Sequence, residues 1–313
     1  MEVRFRIMKA FPVMNKSKLK SNIFLLMTAM IWGFAFVAQR VGADHVGAMT
    51  FNGVRFALGA LSLVPVVLIF ARNTPMDASS RCQTVLASLA GGTALFVASL
   101  LQQWGVELTQ SAGKAGFITS LYTVLVPVIG VLFLRRKTGL FIWLGAFLAV
   151  GGLYLLSMTG EEKAGIGDLV LILGAIVWAM HILIVDHFNQ KQIHPIIFAM
   201  GQFAVCAVYN LVGAALFEDM AVSGIVAAGI PILYGGLMSV GVAYTLQILG
   251  QRGADPTAAS VILSTESMFS AIGGIIILGE SMSVGGYVGC VLIFSGVVLA
   301  QLTPDVLRRK KKS

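Results

Sequence analysis

Nine polar or aromatic side chains stand inside long apolar runs of this sequence, where a solvent-facing role is excluded and chemistry becomes the default reading. Glu266 is the sharpest of them. It lies about ten residues into its run, roughly 15 Å deep at 1.5 Å per residue. An ionised carboxylate at that depth has to meet a cation or carry a proton. It is therefore a candidate for proton coupling or for holding a substrate ammonium group. Arg55, about six residues into its own run, is too deep to reach an interface easily. With Lys114, near the end of another run, it is expected to form a basic pair for a carboxylate or phosphate. The guanidinium suits a bidentate contact and the ammonium acts as a point charge. Tyr122, Gln103, Gln202 and Gln247 can hydrogen-bond a solute without bringing charge into the membrane. Trp32 and Trp178 can stack on a ring, close a gate or anchor the packing.

The runs that carry these residues are membrane spans. The 313 residues are 57% hydrophobic and 12% charged, against about 45–50% and about 25% in soluble domains. Lipid must be the solvent for most of that surface. A span needs about 20 apolar residues. Ten such runs occur, at about 22–40, 49–71, 83–104, 112–134, 139–157, 166–185, 195–217, 224–249, 256–278 and 284–302. The links between them are too short for a soluble domain. The basic segment 1–21 lacks an apolar core and a small-residue cleavage site, so the first run reads as a retained signal anchor. Pro65, Pro127 and Pro231 are expected to kink or hinge their helices, and Gly285 and Gly289 to permit close helix contact.

Lysine and arginine set the orientation. Eighteen of them fall at the N-terminus, in alternate links and in the basic tail 303–313, while only Arg40 and Lys163 fall in the other links. Positive links stay cytoplasmic, so both termini are expected there, in the cell (inner) membrane. The net charge of +8 then reports topology, and no nucleic-acid partner is implied. Cys82, Cys206 and Cys290 have no metal or disulfide spacing. His181 has no second ligand on its face. Neither a metal nor a cofactor is expected.

The two halves repeat. Ala29-Met-Ile-Trp32-Gly33 matches Ala175-Ile-Val-Trp178-Ala179, and Arg55-Phe56-Ala57 matches Gln202-Phe203-Ala204. From the third run onward one offset pairs Gln103 with Gln247, Ser120 with Ser264, Gly130 with Gly274, Gly145 with Gly289 and Gly152 with Gly296. The same offset pairs Tyr122 with Glu266. Each repeat, 22–157 and 166–302, holds an odd number of spans, so the second must enter from the opposite side. Arg136 in one repeat and Glu280 in the other agree with that inversion. The expected fold is an all-α integral membrane protein of ten helices in two inverted five-helix repeats, the plan of many secondary transporters.

These features resemble the drug/metabolite transporter superfamily, in its EamA-type group with two EamA units. The resemblance rests on Ile31-Trp32-Gly33, Arg55, Ser111-Ala-Gly-Lys-Ala-Gly-Phe-Ile-Thr119, Leu263-Ser-Thr-Glu266, Leu278-Gly-Glu280 and the stretch from Gly289 to Gly296. It implies ten spans and movement of amino acids, sugars, nucleotide-linked metabolites, vitamins or drugs. Ser267 stands where a proline often follows the glutamate, which puts the family's kink there in question, and Arg136 replaces the acid of the first unit.

The expected function is alternating-access transport of a small polar metabolite, such as an amino acid, by a monomer or homodimer. Export is one direction to test and the proton one candidate coupling ion. Translocation of a lipid or lipid carrier is the first alternative. A membrane-embedded enzyme is disfavoured, because no H-E-x-x-H, G-x-S-x-G, Walker A or paired catalytic acids occur.

Overall fold

The computed structural model describes residues 16–71, 76–135, 138–157, 165–191, 193–279 and 283–301. Arg136, Lys163, Glu280 and the tail 303–313 lie outside the described residues, as does most of the segment 1–21. The described residues are helical, with no strand among them. In order they form α1 (Lys16–Ala43), α2 (Ala48–Val66), α3 (Ala78–Thr109), α4 (Ala112–Leu132), α5 (Leu140–Ser157), α6 (Ile166–Asn189), α7 (Pro195–Phe217), α8 (Gly229–Gln251), α9 (Pro256–Leu278) and α10 (Val284–Gln301). Eight of these are long and apolar enough to cross a bilayer. The apolar stretches of α5 and α10, Leu140–Leu155 and Val284–Leu299, are shorter, about 24 Å at 1.5 Å per residue. That falls short of a hydrocarbon layer about 30 Å thick. α3 and α6 run further than expected, to Thr109 and Asn189.

Local chemistry sets the helix ends. Ser111 caps α4 by accepting the Lys114 N–H, and Asp255 caps α9 by accepting those of Thr257 and Ala258. Pro195 and Pro256 occupy first-turn positions, where a missing N–H costs nothing. Gln110, at φ 54°, ends α3 with a left-handed cap, so a link of two residues turns the chain into α4.

Packing follows the repeat. α2 lies against α7 and α5 against α10, while α3 lies against α6 as α8 lies against α1, and α4 against α6 as α9 against α1. Glycines make the α5–α10 seam. A Cβ on Gly152 would sit 2.5 Å from the Gly289 carbonyl oxygen, and one on Gly296 would sit 2.5 Å from that of Gly145. The close approach therefore lies at the repeat-matched glycines. The expected Gly285 contact is ordinary, with its nearest neighbours at 3.5 Å.

Two helices break in the same register. α4 is interrupted at Ser120–Leu121 and α9 at Ser264–Thr265. At each break the backbone tightens to three-residue spacing, with Leu121 N bonded to Ile118 O at 3.2 Å and Thr265 N to Ile262 O at 3.1 Å. Such a turn inside a helix marks a strained or hinged point. α9 breaks although Ser267 replaces the family's proline. Serines serve instead: Ser264 Oγ donates to the Val261 carbonyl and Ser267 Oγ to that of Ser264, both at 2.8 Å. Pro65 precedes a π-helical turn, Val67–Ala71, and Pro231 precedes a π-helical stretch, Tyr234–Tyr244. Pro127 lies inside the second half of α4.

Gly152→Val is expected to lower the unfolding temperature in detergent, at a cost of about 1–3 kcal/mol for overpacking against backbone. Gly151→Ala, where an added Cβ meets nothing within 4 Å, is expected to raise it slightly, since alanine is the better helix former by about 0.5–1 kcal/mol. Equal unfolding temperatures for the two variants would contradict the seam described.

Candidate functional site

One cavity lies at the centre of the bundle, with α5, α7 and α10 contributing nothing to its wall. The breaks in α4 and α9 place its floor, since Tyr122 and Glu266 are the first residues after each break. α1 approaches closely enough to complete it. A Cβ on Gly33 would meet the Glu266 carbonyl oxygen at 2.6 Å, so glycine there lets Trp32 and Glu266 share one cavity wall. The cavity measures about 20 Å³, room for about one water molecule. Anything larger than water would require the bundle to open.

Both charges of the cavity are buried. Glu266 is 3% exposed and accepts a hydrogen bond from Ser120 Oγ at 3.3 Å, with the Tyr122 hydroxyl beside it. Arg55 is 2% exposed, and its Nε donates to Asn52 Oδ1 at 2.9 Å. Asn52 is held in turn by its own bond to the Ser99 carbonyl, 3.1 Å. The guanidinium carbon lies 5.4 Å from the Phe51 ring and 5.0 Å from that of Phe56, within cation–π range. Among the described residues Arg55 makes no ion pair, and neither does Glu266.

Unpaired polar atoms concentrate here. Thr119 Oγ1, Trp178 Nε1 and both amide atoms of Gln247 are buried without a hydrogen-bond partner, and all three residues line the cavity. Each such group costs about 1–3 kcal/mol if left unmet.

An aromatic cluster forms another wall, with Tyr244 at its centre. Its ring lies 4.6 Å from Trp32 and 6.0 Å from Trp178, with Phe56 and Phe203 behind it at 6.0 and 5.8 Å. Trp32 and Trp178, matched by the repeat, are 6.2 Å apart. Trp32 Nε1 donates to the Ser239 carbonyl, 3.2 Å, in the π-helical part of α8.

Other expected site residues lie elsewhere. Lys114 Nζ is 3.0 Å from Asp168 Oδ1, tying α4 to α6, and is not among the cavity-lining residues. The expected basic pair with Arg55 does not form, because a nearer carboxylate claims the ammonium. Gln103 ties α3 to the Gln39 carbonyl at 3.1 Å, and its neighbour Gln102 lines the cavity, donating to Gln39 Oε1 at 2.9 Å. Gln202 stands behind the wall, 3.1 Å from His181 Nε2. Gln39, Gln102, Thr119, Ser239 and Tyr244 are cavity residues the sequence reading did not select. Polar type inside a span was the available signal for the first four. Tyr244 offered none, since an aromatic residue at helical spacing reads as core. No group of three His, Cys, Asp or Glu able to hold a metal occurs among the described residues.

The model of the EamA-like transporter family matches residues 19–158 and 165–302. An uncharacterized transporter of Archaeoglobus fulgidus is 28% identical over 294 residues, covering 91% of this chain and 87% of that protein. The uncharacterized transporter YoaV of Bacillus subtilis is 22% identical over 292 residues, covering 91% and 97%. A solved crystal structure superposes with a TM-score of 0.71 at 17% identity, over 94% of this chain and 99% of the other. At that identity it shares the fold.

Arg55 and Lys114 are expected to behave oppositely when neutralised. Arg55→Met removes a buried charge without an ion pair and should leave thermal stability within about 1 kcal/mol of wild type. Lys114→Met strands Asp168 and should cost about 1–3 kcal/mol. Thermal unfolding of the two purified variants checks this; a larger loss for Arg55→Met would mark it as structural.

Proposed function

The chain belongs to the EamA-like transporter family, and we propose that it is a ten-span secondary transporter of a small zwitterionic metabolite of the amino-acid type. One observation carries this reading: a buried guanidinium and a buried carboxylate, neither ion-paired among the described residues, line one cavity. A substrate carboxylate satisfies Arg55 and its ammonium satisfies Glu266, so one guest neutralises both. The aromatic wall receives the rest of the molecule. An empty carrier can return with a proton on Glu266, which makes the proton the natural coupling ion. A small cavity that holds both a buried guanidinium and a buried carboxylate favours a metabolite over a lipid.

Alternating access is supported by the exchanged helix contacts and by the reciprocal glycine contacts of the α5–α10 seam. Both are what two inverted units, 22–157 and 166–302, generate. The short α5 and α10 count as spans in this reading, thinning the bilayer or tilting little. The face that carries Arg252 is cytoplasmic by its excess of basic residues.

Uptake of the amino acids by proteoliposomes, across pH, tests the reading. Glu266→Gln keeps shape and insertion but is expected to cut transport at least about tenfold, with a flattened pH profile. Arg55→Gln is expected to raise the apparent KM for carboxylate-bearing substrates by about tenfold, the worth of a charged hydrogen bond. Wild-type rates and an unchanged pH profile for Glu266→Gln would leave that residue a structural crosslink.

A further inference from the structure

The hold on Arg55 is specific in its chemistry. Its Nε donates to Asn52 Oδ1 at 2.9 Å, three residues back on the same face of α2. Neither Nη makes a hydrogen bond or an ion pair among the described residues. A guanidinium can grip a carboxylate along either of two edges. A bond at Nε leaves the outer edge, Nη1 with Nη2, for a two-point contact.

The amide of Asn52 is fixed in one sense. Its Nδ2 donates to the Ser99 carbonyl of α3 at 3.1 Å, which an amide oxygen could not do, so Oδ1 is the end presented to Arg55. Asn52 is fully buried and does not line the central cavity, whereas Arg55 does. The amide therefore reaches the cavity only through the guanidinium. The rest of the cradle brings no negative charge. Phe51 and Phe56 lay their rings against the guanidinium. Gly235 of α8 lets the backbone close on the side-chain stem, since a Cβ there would lie 3.2 Å from Arg55 Cδ.

The repeat sets the pair apart. The offset that matches Arg55-Phe56-Ala57 with Gln202-Phe203-Ala204 matches Asn52 with Ala199. The amide accompanies the arginine in one repeat, and neither is present in the other. An aspartate would have nearly the same shape as Asn52. Its charge would pair with Arg55 in place of any guest, and it could not donate to the Ser99 carbonyl. A neutral acceptor fixes the guanidinium and leaves its charge uncancelled.

We propose that Asn52 is the positioning residue of the central site, a neutral amide that holds Arg55 through Nε and keeps its Nη edge and its charge for a substrate carboxylate. The carboxylate rests on the zwitterion reading under Proposed function; the hold on Arg55 does not.

Thermal unfolding of purified variants tests the hold without substrate. Asn52→Asp places a carboxylate beside the guanidinium, which can pair with it. The same change in an Arg55→Met background buries a carboxylate alone. Its cost in unfolding temperature should be greater there by at least about 3 °C. Equal shifts in the two backgrounds would overturn the proposal. Equilibrium binding tests the role, using the best transported of the standard amino acids and its carboxamide. Asn52→Asp should weaken the amino acid at least about tenfold, the worth of a charged hydrogen bond, and leave the carboxamide within about twofold. The preference for the free carboxylate should therefore vanish. Asn52→Ala, which adds no charge, should reduce that preference by about threefold or more. In an Arg55→Gln background neither change should alter it further. A purely structural amide would shift both ligands alike, and an unchanged preference in both single variants would overturn the proposal. If the wild type takes up no amino acid the zwitterion reading fails by itself, and the thermal comparison still decides whether Asn52 holds Arg55.

Discussion

Hydrocarbon offers no hydrogen bonds, so every polar group carried into a membrane must find a partner inside the protein. That constraint organises this molecule. Most serines and threonines bond a carbonyl one turn back on their own helix, as Ser88 does to Thr84 and Thr245 to Gly241. Thr28 reaches further and joins α1 to the Ala243 carbonyl at 3.0 Å. Gln103 and Gln202 are each engaged through one amide atom, with the Gln39 carbonyl and with His181. Against that background the exceptions stand out, because several of them meet in one place. A buried guanidinium, a buried carboxylate and the side chains of Thr119, Trp178 and Gln247 face a single small cavity, and nothing among the described residues satisfies them fully.

The two repeats share their scaffold but differ in their chemistry. The seam glycines and the helix breaks occur in matched register. The lining is unequal. Arg55 has Gln202 as its mate, and Glu266 has Tyr122. α3 is regular throughout, whereas α8 is π-helical from Tyr234 to Tyr244. Widening those turns presents Ser239, Tyr244 and Gln247 to the cavity from one helix.

Much of this was legible in the sequence. Apolar run length marked eight of the spans as observed, and the matched Ser120 and Ser264 fell inside the two helix breaks. Glu266 and Arg55 stood out by charge at depth. Rotational phase did not show. Gln102 and Gln103 are adjacent, and one residue turns a helix by about 100°, so the repeat match selected the neighbour of the residue that lines the cavity. Lys114 was misassigned for another reason: its partner Asp168 is distant in sequence, and no local pattern reports a contact between α4 and α6. Tyr244 became visible only once four aromatic rings were seen to converge on it.

The central claim is that Arg55 and Glu266 hold the two ends of one zwitterion. Equilibrium binding to the purified protein tests it most directly, by titrating a transported amino acid beside its carboxamide and its N-acetyl derivative. Each analogue loses one charged contact, worth about 1.5–3 kcal/mol, so each should bind at least about tenfold more weakly than the parent. Equal affinity for all three compounds would contradict the account.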